Sequence, residues 1–322
     1  MVRSGGEWGD DNGGREPFHT PVLTNELLSW LACGPGRSYL DCTVGGGGLA
    51  TRILERTGPD GHFVGIDRDG EALSMTRERL KPFGPRVHLV QGDFLDLKQH
   101  LASAGLGSID GVVFDLGVSS GQLDQPDRGF SFMADGPLDM RMDRTSGETA
   151  AELITRLSEP ELVDVIGQYG EERFARRIAR AIVRARVERP LRTTLDLIEV
   201  VRRAVPAAYR HGRIHVATRT FQALRIAVNR ELEVLEPALR DAAEVLTPGG
   251  RLCVVSFHSL EDRIAKRTIR GLSQQPPVLR PLSKKPLLPS EAERARNPRA
   301  RSAKLRVAER LPAERLSLEA TE

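Results

Sequence analysis

From residue 38 to residue 115, short apolar runs alternate with longer stretches in which apolar and polar positions interleave. The runs Ser38–Cys42, His62–Ile66, Val87–Gln91 and Ile109–Asp115 read as strands. Helices are expected over Leu49–Thr57, Gly70–Leu80 and Leu97–Ala104, and Lys81-Pro82-Phe83-Gly84-Pro85 breaks the second of them. Strands separated by helices of this length imply right-handed crossovers and a parallel sheet. Ahead of them, Phe18–Leu23 reads as a docking segment before an amphipathic helix over Asn25–Leu31, which Gly34-Pro35-Gly36 stops.

Beyond Asp115 this rhythm ends. Gly117–Arg144 reads as loop, and helical segments follow near 148–157, 158–168, 171–188 and 193–204. One long helix, Thr218–Leu246, is expected next, ended by Thr247-Pro248-Gly249-Gly250 before a fifth strand at Arg251–Ser256. A helix over Leu260–Leu272, a proline- and arginine-rich stretch over 276–303 and an edge strand at Lys304–Ala308 follow. The expected fold class is α/β, with a mostly parallel, Rossmann-like sheet. Its domain would be discontinuous, 17–123 and 218–312, with 124–217 inserted as a loop and a small all-helical domain. Residues 1–16, rich in Gly, Asp and Glu, read as a disordered tail, and 313–322 as a second tail.

Four acids mark the strand ends: Asp41, Asp67, Asp93 and Asp115. Ligands of an open parallel sheet bind beyond the carboxyl ends of its strands, so these carboxylates should rim one cleft. Gly45-Gly46-Gly47-Gly48 lets bare backbone pass close under a ligand, and Asp67 is placed to accept from a ribose diol. Gly45-x-Gly47-x-x-Ala50 matches the dinucleotide pattern, so a nicotinamide dinucleotide has to be weighed. Asp41, just ahead of the glycines, would repel a pyrophosphate but suits the charged amino end of a methionine moiety. Gly92-Asp93-Phe94 offers a carboxylate to an adenine amine and a ring to pack on the base. S-adenosylmethionine is therefore the favoured cofactor.

Composition narrows the setting. With 39% hydrophobic and 28% charged residues the chain is ordinary for a globular protein, and no run approaches a membrane span. No apolar leader is evident, and Cys33, Cys42 and Cys253 lack metal-ligand spacing, so a reducing cytoplasm and no metal are expected. The net charge of +3 conceals strong polarity. Residues 171–230 hold fifteen arginines against five acids, and residues 263–315 hold fifteen Lys and Arg against four. Such a distribution suits a protein that faces a polyanion; solvated helical faces in an arginine-rich chain are the competing reading.

Several blocks spread along the chain are more specific. His19-Thr20-Pro21-Val22-Leu23, Asp115-Leu116-Gly117-Val118-Ser119-Ser120, Arg128-Gly129-Phe130-Ser131-Phe132 and Gly136-Pro137-Leu138-Asp139-Met140-Arg141-Met142 occur in that order. Tyr169-Gly170-Glu171-Glu172-Arg173, Ala217-Thr218-Arg219-Thr220-Phe221-Gln222-Ala223-Leu224-Arg225, Ser256-Phe257-His258-Ser259-Leu260-Glu261-Asp262-Arg263 and Asn297-Pro298-Arg299-Ala300-Arg301-Ser302 follow. Together, over about residues 18–310, the chain resembles the bacterial small-subunit ribosomal RNA cytosine-N4 methyltransferase family, the H-type enzymes once called MraW. The resemblance implies a class I methyltransferase fold with an inserted helical domain. It also implies methyl transfer from S-adenosylmethionine to the exocyclic amine of one cytidine in the decoding region of 16S ribosomal RNA. The implied partner is that RNA, within the small subunit or a late precursor, and a homodimer is suggested. Carried over by position, the cofactor contacts fall on Gly47, Gly48, Leu49, Asp67, Phe94, Asp115 and Gln122. Leu49 departs from the family's usual Gly-Gly-His, a harmless change if a backbone amide makes the contact there.

A cytosine N4 lone pair is delocalised into the ring, so the nitrogen needs acceptors for its hydrogens and in-line placement against the methyl. Many amino methyltransferases carry an Asp-Pro-Pro-Tyr turn after strand 4, where this chain has Asp115-Leu116-Gly117-Val118-Ser119-Ser120. Asp115 or a carbonyl of that turn is the expected acceptor, with Ser119 and Ser120 as polar partners; a strand-end cap or a purely cofactor contact competes for Asp115. His258 either touches the base or bonds its own turn. Asp139 either shapes the base pocket or pairs with Arg141. Phe130 and Phe132 either stack on an extruded base or pack between domains. Arg219, Arg225, Arg299, Arg301 and the arginines of 171–189 are expected at RNA phosphates, with plain surface charge as the alternative. Three other functions stay open on sequence alone: a DNA amine methyltransferase, a nicotinamide-dependent oxidoreductase and a non-catalytic RNA-binding assembly factor.

Overall fold

The computed structural model describes residues 22–212 and 214–312; both expected tails and the start of the docking segment lie outside them. A first helix, Thr24–Leu31 (α1), precedes the alternating unit. Strands Tyr39–Asp41 (β1), Phe63–Asp67 (β2), Val87–Gln91 (β3) and Ile109–Asp115 (β4) then alternate with helices Gly48–Thr57 (α2), Gly70–Leu80 (α3) and Leu97–Ser103 (α4). A short helix, Ser120–Asp124 (α5), interrupts the stretch expected to be loop. Four helices follow: Ala150–Arg156 (α6), Glu159–Gly170 (α7), Ala175–Glu188 (α8) and Thr194–Ala204 (α9). The chain returns through Thr218–Asn229 (α10), Glu231–Val245 (α11), Leu246–Ser256 (β5) and Ser259–Leu272 (α12). It ends in Leu279–Pro281 (β6), Glu291–Arg296 (α13) and Lys304–Arg310 (β7).

The strands form one seven-stranded sheet in the order β3-β2-β1-β4-β5-β7-β6. β1 to β5 are parallel, and the order reverses between β1 and β4, where connections diverge to opposite faces and leave a crevice. β7 runs antiparallel between β5 and β6. It is therefore an inner strand, and the edge falls to β6, inside the proline-rich stretch that showed no strand pattern.

Successive strand residues point to opposite faces, which divides the core in two. Leu40, Val64, Val112 and Leu252 pack with Leu101 of α4, Leu235 of α11 and Ile269 of α12. Tyr39, Phe63, Val113 and Cys253 pack with Leu31 of α1, Ile53 of α2 and Leu73 of α3. A third core lies among α6–α10 and the loops beside them, with Ile154, Ile166, Ile178, Leu197 and Phe221 joined by Phe130, Leu138 and Met140. Its helices start where the sequence supplies capping boxes: Thr149 with Glu152, Ser158 with Glu161 and Thr193 with Asp196.

The single helix expected over Thr218–Leu246 is two. Arg230 sits at φ 52°, between α10 and α11. Asn229 stitches the break: its amide donates to Met140 O at 2.8 Å and accepts the Met142 N–H at 2.8 Å. α10 buries Phe221 and Leu224 in the helical core, whereas α11 buries Leu235 and Leu239 against the sheet. One straight helix could not present apolar faces in both directions, so the chain breaks.

Candidate active site

The cleft opens at the carboxyl ends of β1, β2 and β4, where the strand order reverses. Its floor begins with Asp41, which is 1% exposed and whose Oδ1 accepts the Thr43 N–H at 3.0 Å. The Thr43 hydroxyl oxygen in turn accepts the Asp115 N–H at 2.7 Å, tying β1's turn to β4's end. The glycines that follow need their freedom: Gly45 and Gly47 lie at φ 50° and 75°. A Cβ at Gly47 would stand 2.9 Å from Thr76 Cγ2. Gly47 caps α2 without a side-chain bond, so amide donors of the first turn remain available at the cleft.

Asp67 is held by backbone on both sides, its carboxylate accepting Gly45 N–H at 2.8 Å and Asp69 N–H at 2.9 Å. Each oxygen keeps a second lone pair for a ligand hydroxyl. Phe94 lies edge-on to Phe114, 5.5 Å between centroids, and its ring lines the cleft beside Arg68. Gln122 also lines it; its amide donates to Asp69 at 2.9 Å.

Three carboxylates crowd this floor. Burial pushes Asp41 up to about 7, with the Asp67 charge adding to it. Burial likewise raises Asp67 to about 6 and Asp115 to about 8, the latter helped by the charges of Asp41 and Glu261. Asp115 and Asp67 stand partly open to the cleft. Asp115 Oδ1 is itself buried with no hydrogen-bond partner among the described residues. Such a site holds its carboxyls partly protonated when empty, and it fits a ligand that brings N–H donors and cationic centres, which would favour the ionised forms.

The sequence of residues 16–311 matches the MraW methylase family. Relatives agree over the same span. The chain is 49% identical over 294 residues to a protein of Symbiobacterium thermophilum named ribosomal RNA small subunit methyltransferase H, covering 87% of this chain and 92% of that one. A protein of the same name from Citrifermentans bemidjiense is 50% identical over 294 residues, with 87% and 94% covered. The chain belongs to the MraW methylase family. It is thus a methyltransferase of class I fold whose cofactor is S-adenosylmethionine, and the nicotinamide reading falls.

Of the residues expected at the cofactor, Gly48, Leu49, Asp67, Phe94, Asp115 and Gln122 all line the cleft of this MraW-family protein, and Gly47 lies at the turn just behind. Leu49 is 6% exposed and packs its side chain into the α1–α3 core, so backbone is what it offers most directly. Asp93 is the exception among the four strand-end acids. It pairs with Arg68 and accepts the Leu95 N–H at 2.9 Å, and unlike Asp41, Asp67 and Asp115 it does not line the cleft.

The acceptor-side expectations need more correction. Ser119 lines the cleft, but its hydroxyl accepts Gln122 N–H in a capping box. Ser120 is 4% exposed and bonded by Arg299, outside the cleft lining. His258 caps α12 and turns its ring onto Glu261, 3.2 Å away, which makes it a turn residue. Asp139 is bound by Arg141 at 2.8 and 3.0 Å. Phe130 is 6% exposed in the helical core, and Phe132 stacks on His215 at 4.5 Å and meets Phe221 edge-on. Neither phenylalanine lines the cleft.

The arginines also divide. Arg225 points inward, bidentate on Glu231 at 2.8 Å, and is no phosphate contact. Arg219 donates to the Glu171 carbonyl at 2.6 Å, and Arg299 joins Ser120 to Asp124. Arg301 remains an exposed charge.

Sequence reasoning missed two networks. Arg128, 2% exposed, donates to Asp69 at 2.7 Å and to the Met142 carbonyl at 2.9 Å, fixing Met142 at the cleft wall. Glu261, which also lines the cleft, is 2% exposed, and its charge is held by His258, Arg225 and the Phe257 amide. Glu231, His258 and Glu261 bring three donor atoms within 4.8 Å of one another, a grouping that could hold a divalent ion, although Arg225 already neutralises Glu231. The signal for these was present as Ser-Phe-His-Ser-Leu-Glu-Asp-Arg, but its partner Arg225 lies some thirty residues earlier.

Proposed function

We propose that this protein methylates the exocyclic N4 amine of a cytidine in the decoding region of 16S ribosomal RNA. The observation that carries the reading is Asp115: a carboxylate at the end of β4, in the cofactor cleft, with one buried oxygen that has no partner among the described residues. S-adenosylmethionine supplies, when bound, a methyl group made electrophilic by its sulfonium. Gly47, Gly48, Leu49, Asp67, Phe94 and Gln122 would hold it, and Asp115 would face the reacting side.

Asp115 accepts an N4 hydrogen in this reading, which steers the nitrogen lone pair toward the methyl. As transfer completes, the same carboxylate takes the proton that the nitrogen must lose. The value of about 8 belongs to the empty cleft, where burial and the Asp41 and Glu261 charges keep Asp115 largely protonated; a sulfonium bound beside it would favour the ionised form that can take the proton. Ser119 serves as the helix cap that keeps Gln122 in place. No covalent enzyme intermediate is required, since N4 brings its own electron pair.

The target base must leave its stack to reach such a floor. The helical core around α6–α9 acts as the substrate-recognition unit, and Arg301 with the exposed arginines of α8 meets phosphates. The unit's boundary is best drawn at Arg230, where the chain breaks, so that α10 goes with the insert. The substrate is the small subunit or a late precursor in the cytoplasm, and the protein works as a homodimer. Nucleoside mass spectrometry of 16S RNA from a strain lacking the gene tests the assignment. N4-methylated cytidine should vanish, return with the wild-type gene and stay absent with Asp115→Ala; an unchanged nucleoside profile would sink it.

A further inference from the structure

Two aromatic rings line the cleft among the described residues: Phe94, which follows β3, and Phe257, which follows β5, with β2, β1 and β4 between those strands. Phe94 belongs to the end with Asp67 and Arg68, where an adenine is expected. Phe257 belongs to the end with Asp115, Gly117 and Glu261. A cofactor brings one heteroaromatic ring to the cleft, and a nucleobase acceptor brings a second. The cytidine reading, on which this step rests, leaves that second ring without a partner, since Phe130 is buried in the helical core, Phe132 packs against that core and His215, and neither lines the cleft. We propose that Phe257 is the platform that contacts the acceptor base and holds it beside Asp115.

Strand register puts Phe257 where this role requires it. Asp115 of β4 pairs with Val255 of β5, and the Leu116 N–H donates to the Val255 carbonyl at 3.0 Å. Two residues past each partner, Gly117 and Phe257 face one another. Gly117 lies at φ 94°, and a Cβ there would sit 3.6 Å from Phe257 Cδ2. Bare backbone at Gly117 leaves that side of the ring uncovered. Any larger residue would fill the space in front of it.

The ring is also pre-set. Phe257 is half-buried, its inner side against the core that includes Val255 and Leu305. Its N–H donates to Glu261 Oε2 at 2.7 Å, and the His258 N–H reaches the same oxygen at 3.2 Å. Glu261 is in turn fixed by His258 and Arg225. This network holds the loop after β5 in one conformation, so little ordering is left for the base to impose. Glu261 is accordingly a positioning residue. Its carboxylate anchors the platform and need not touch the base.

Base–aromatic stacking is sequence-tolerant and substantial. Replacing the ring by an alkyl group of similar size should lower kcat/KM by about tenfold to a hundredfold. The test uses full-length protein and small subunits purified from a strain lacking the gene, with methyl incorporation mapped by nucleoside analysis. Phe257→Leu should show that loss while S-adenosylhomocysteine binding, measured by calorimetry, stays within about twofold of wild type. Phe257→Tyr should restore most of the rate. The platform is overturned if Phe257→Leu stays within about twofold of wild type, if cofactor affinity falls in step with rate, or if Tyr does no better than Leu. The wild-type digest run alongside judges the other question. If the methyl appears elsewhere than on cytosine N4, the cytidine reading fails, while the Leu-to-Tyr comparison still decides whether Phe257 carries the acceptor.

Discussion

The two ends of the cleft are built in different ways. At the cofactor end, each contributing group lies within a few residues of a strand end, and the working parts are largely backbone: a glycine turn, a helix start, and a carboxylate pinned by amides. At the proposed acceptor end, Asp115, Gly117 and Phe257 also follow strand ends, but the parts that work there are side chains, set by Glu261, Glu231 and Arg225 through β4–β5 pairing and the Arg225 bridge. Local geometry can make a nucleotide cradle, because turn conformations are set by neighbouring residues. Under the proposed reading, the second substrate is met by side chains that tertiary contacts orient, and such orientation leaves no local pattern in the sequence.

The largest expected effect tests whether Asp115 belongs to the acceptor end. Asp115→Asn keeps the shape and removes the proton acceptor, and kcat should fall by roughly 10²- to 10⁴-fold. S-adenosylhomocysteine affinity should change by less than about threefold, because its other contacts persist. Single-turnover methylation beside calorimetry reads both quantities. Equal losses in rate and affinity would move Asp115 to the cofactor end and erase the contrast.

Gly47→Ala attacks the opposite end. The substitution puts Cβ at φ 75° and 2.9 Å from Thr76 Cγ2. Left-handed backbone costs a non-glycine residue roughly 1–2 kcal/mol, so S-adenosylhomocysteine binding should weaken by roughly 5- to 30-fold if the turn relaxes to avoid it. Thr76→Ser in the same protein removes the methyl but keeps the hydroxyl that donates to the Gly45 carbonyl. It should recover part of the affinity and not all, since the backbone strain remains. Full recovery would mean that crowding alone mattered.

This contrast also explains what could be read from the chain. β1 to β4, the glycine turn and Asp67 follow from apolar runs ending in acids, a signal contained within each segment. Asp93 looked equivalent to the other three acids, yet Arg68 lies next to the site and takes it. Phe130 and Phe132 sit in a block that stood out in sequence, but the helical core claims them, while Phe257 passed unnoticed beside His258. The break at Arg230 was hidden because α10 and α11 are each good helices, and only their opposed apolar faces force the turn. β6, three residues long, is paired through β7 and lacks any pattern of its own.

Electrostatics offers a finer probe of the crowded floor. With Asp67, Asp41 and Asp115 raised to about 6, 7 and 8, the empty cleft holds protons that the unfolded chain releases nearer pH 4. The cofactor-free protein should therefore lose stability as pH rises from about 4 to 8, since the native state binds more protons than the unfolded one. A cationic ligand favours the ionised carboxylates and expels those protons. The affinity for S-adenosylmethionine relative to its neutral-sulfur product should then rise with pH, by about fivefold between pH 6 and 8. Calorimetry in buffers of different ionisation enthalpy would register the proton release. A flat ratio would mean that the carboxylates are already charged and the floor is wetter than its burial implies.

Leu49 carries the smallest expected effect. It stands where the resemblance drawn from sequence would place His, in the first turn of α2, with its side chain buried among the α1–α3 core residues. If that position serves the cofactor through its amide, the side chain is free to vary at the price of packing alone. Leu49→His should lower the melting temperature by a few degrees, as expected for a polar ring replacing a buried alkyl group at a cost of about 1 kcal/mol or more. S-adenosylhomocysteine affinity should stay within about twofold, since the backbone donors of the first turn are unchanged. A tenfold gain in affinity would show the imidazole itself reaching the ligand. The cofactor end would then owe part of its grip to a side chain, and this chain would have traded binding strength for a better-packed core.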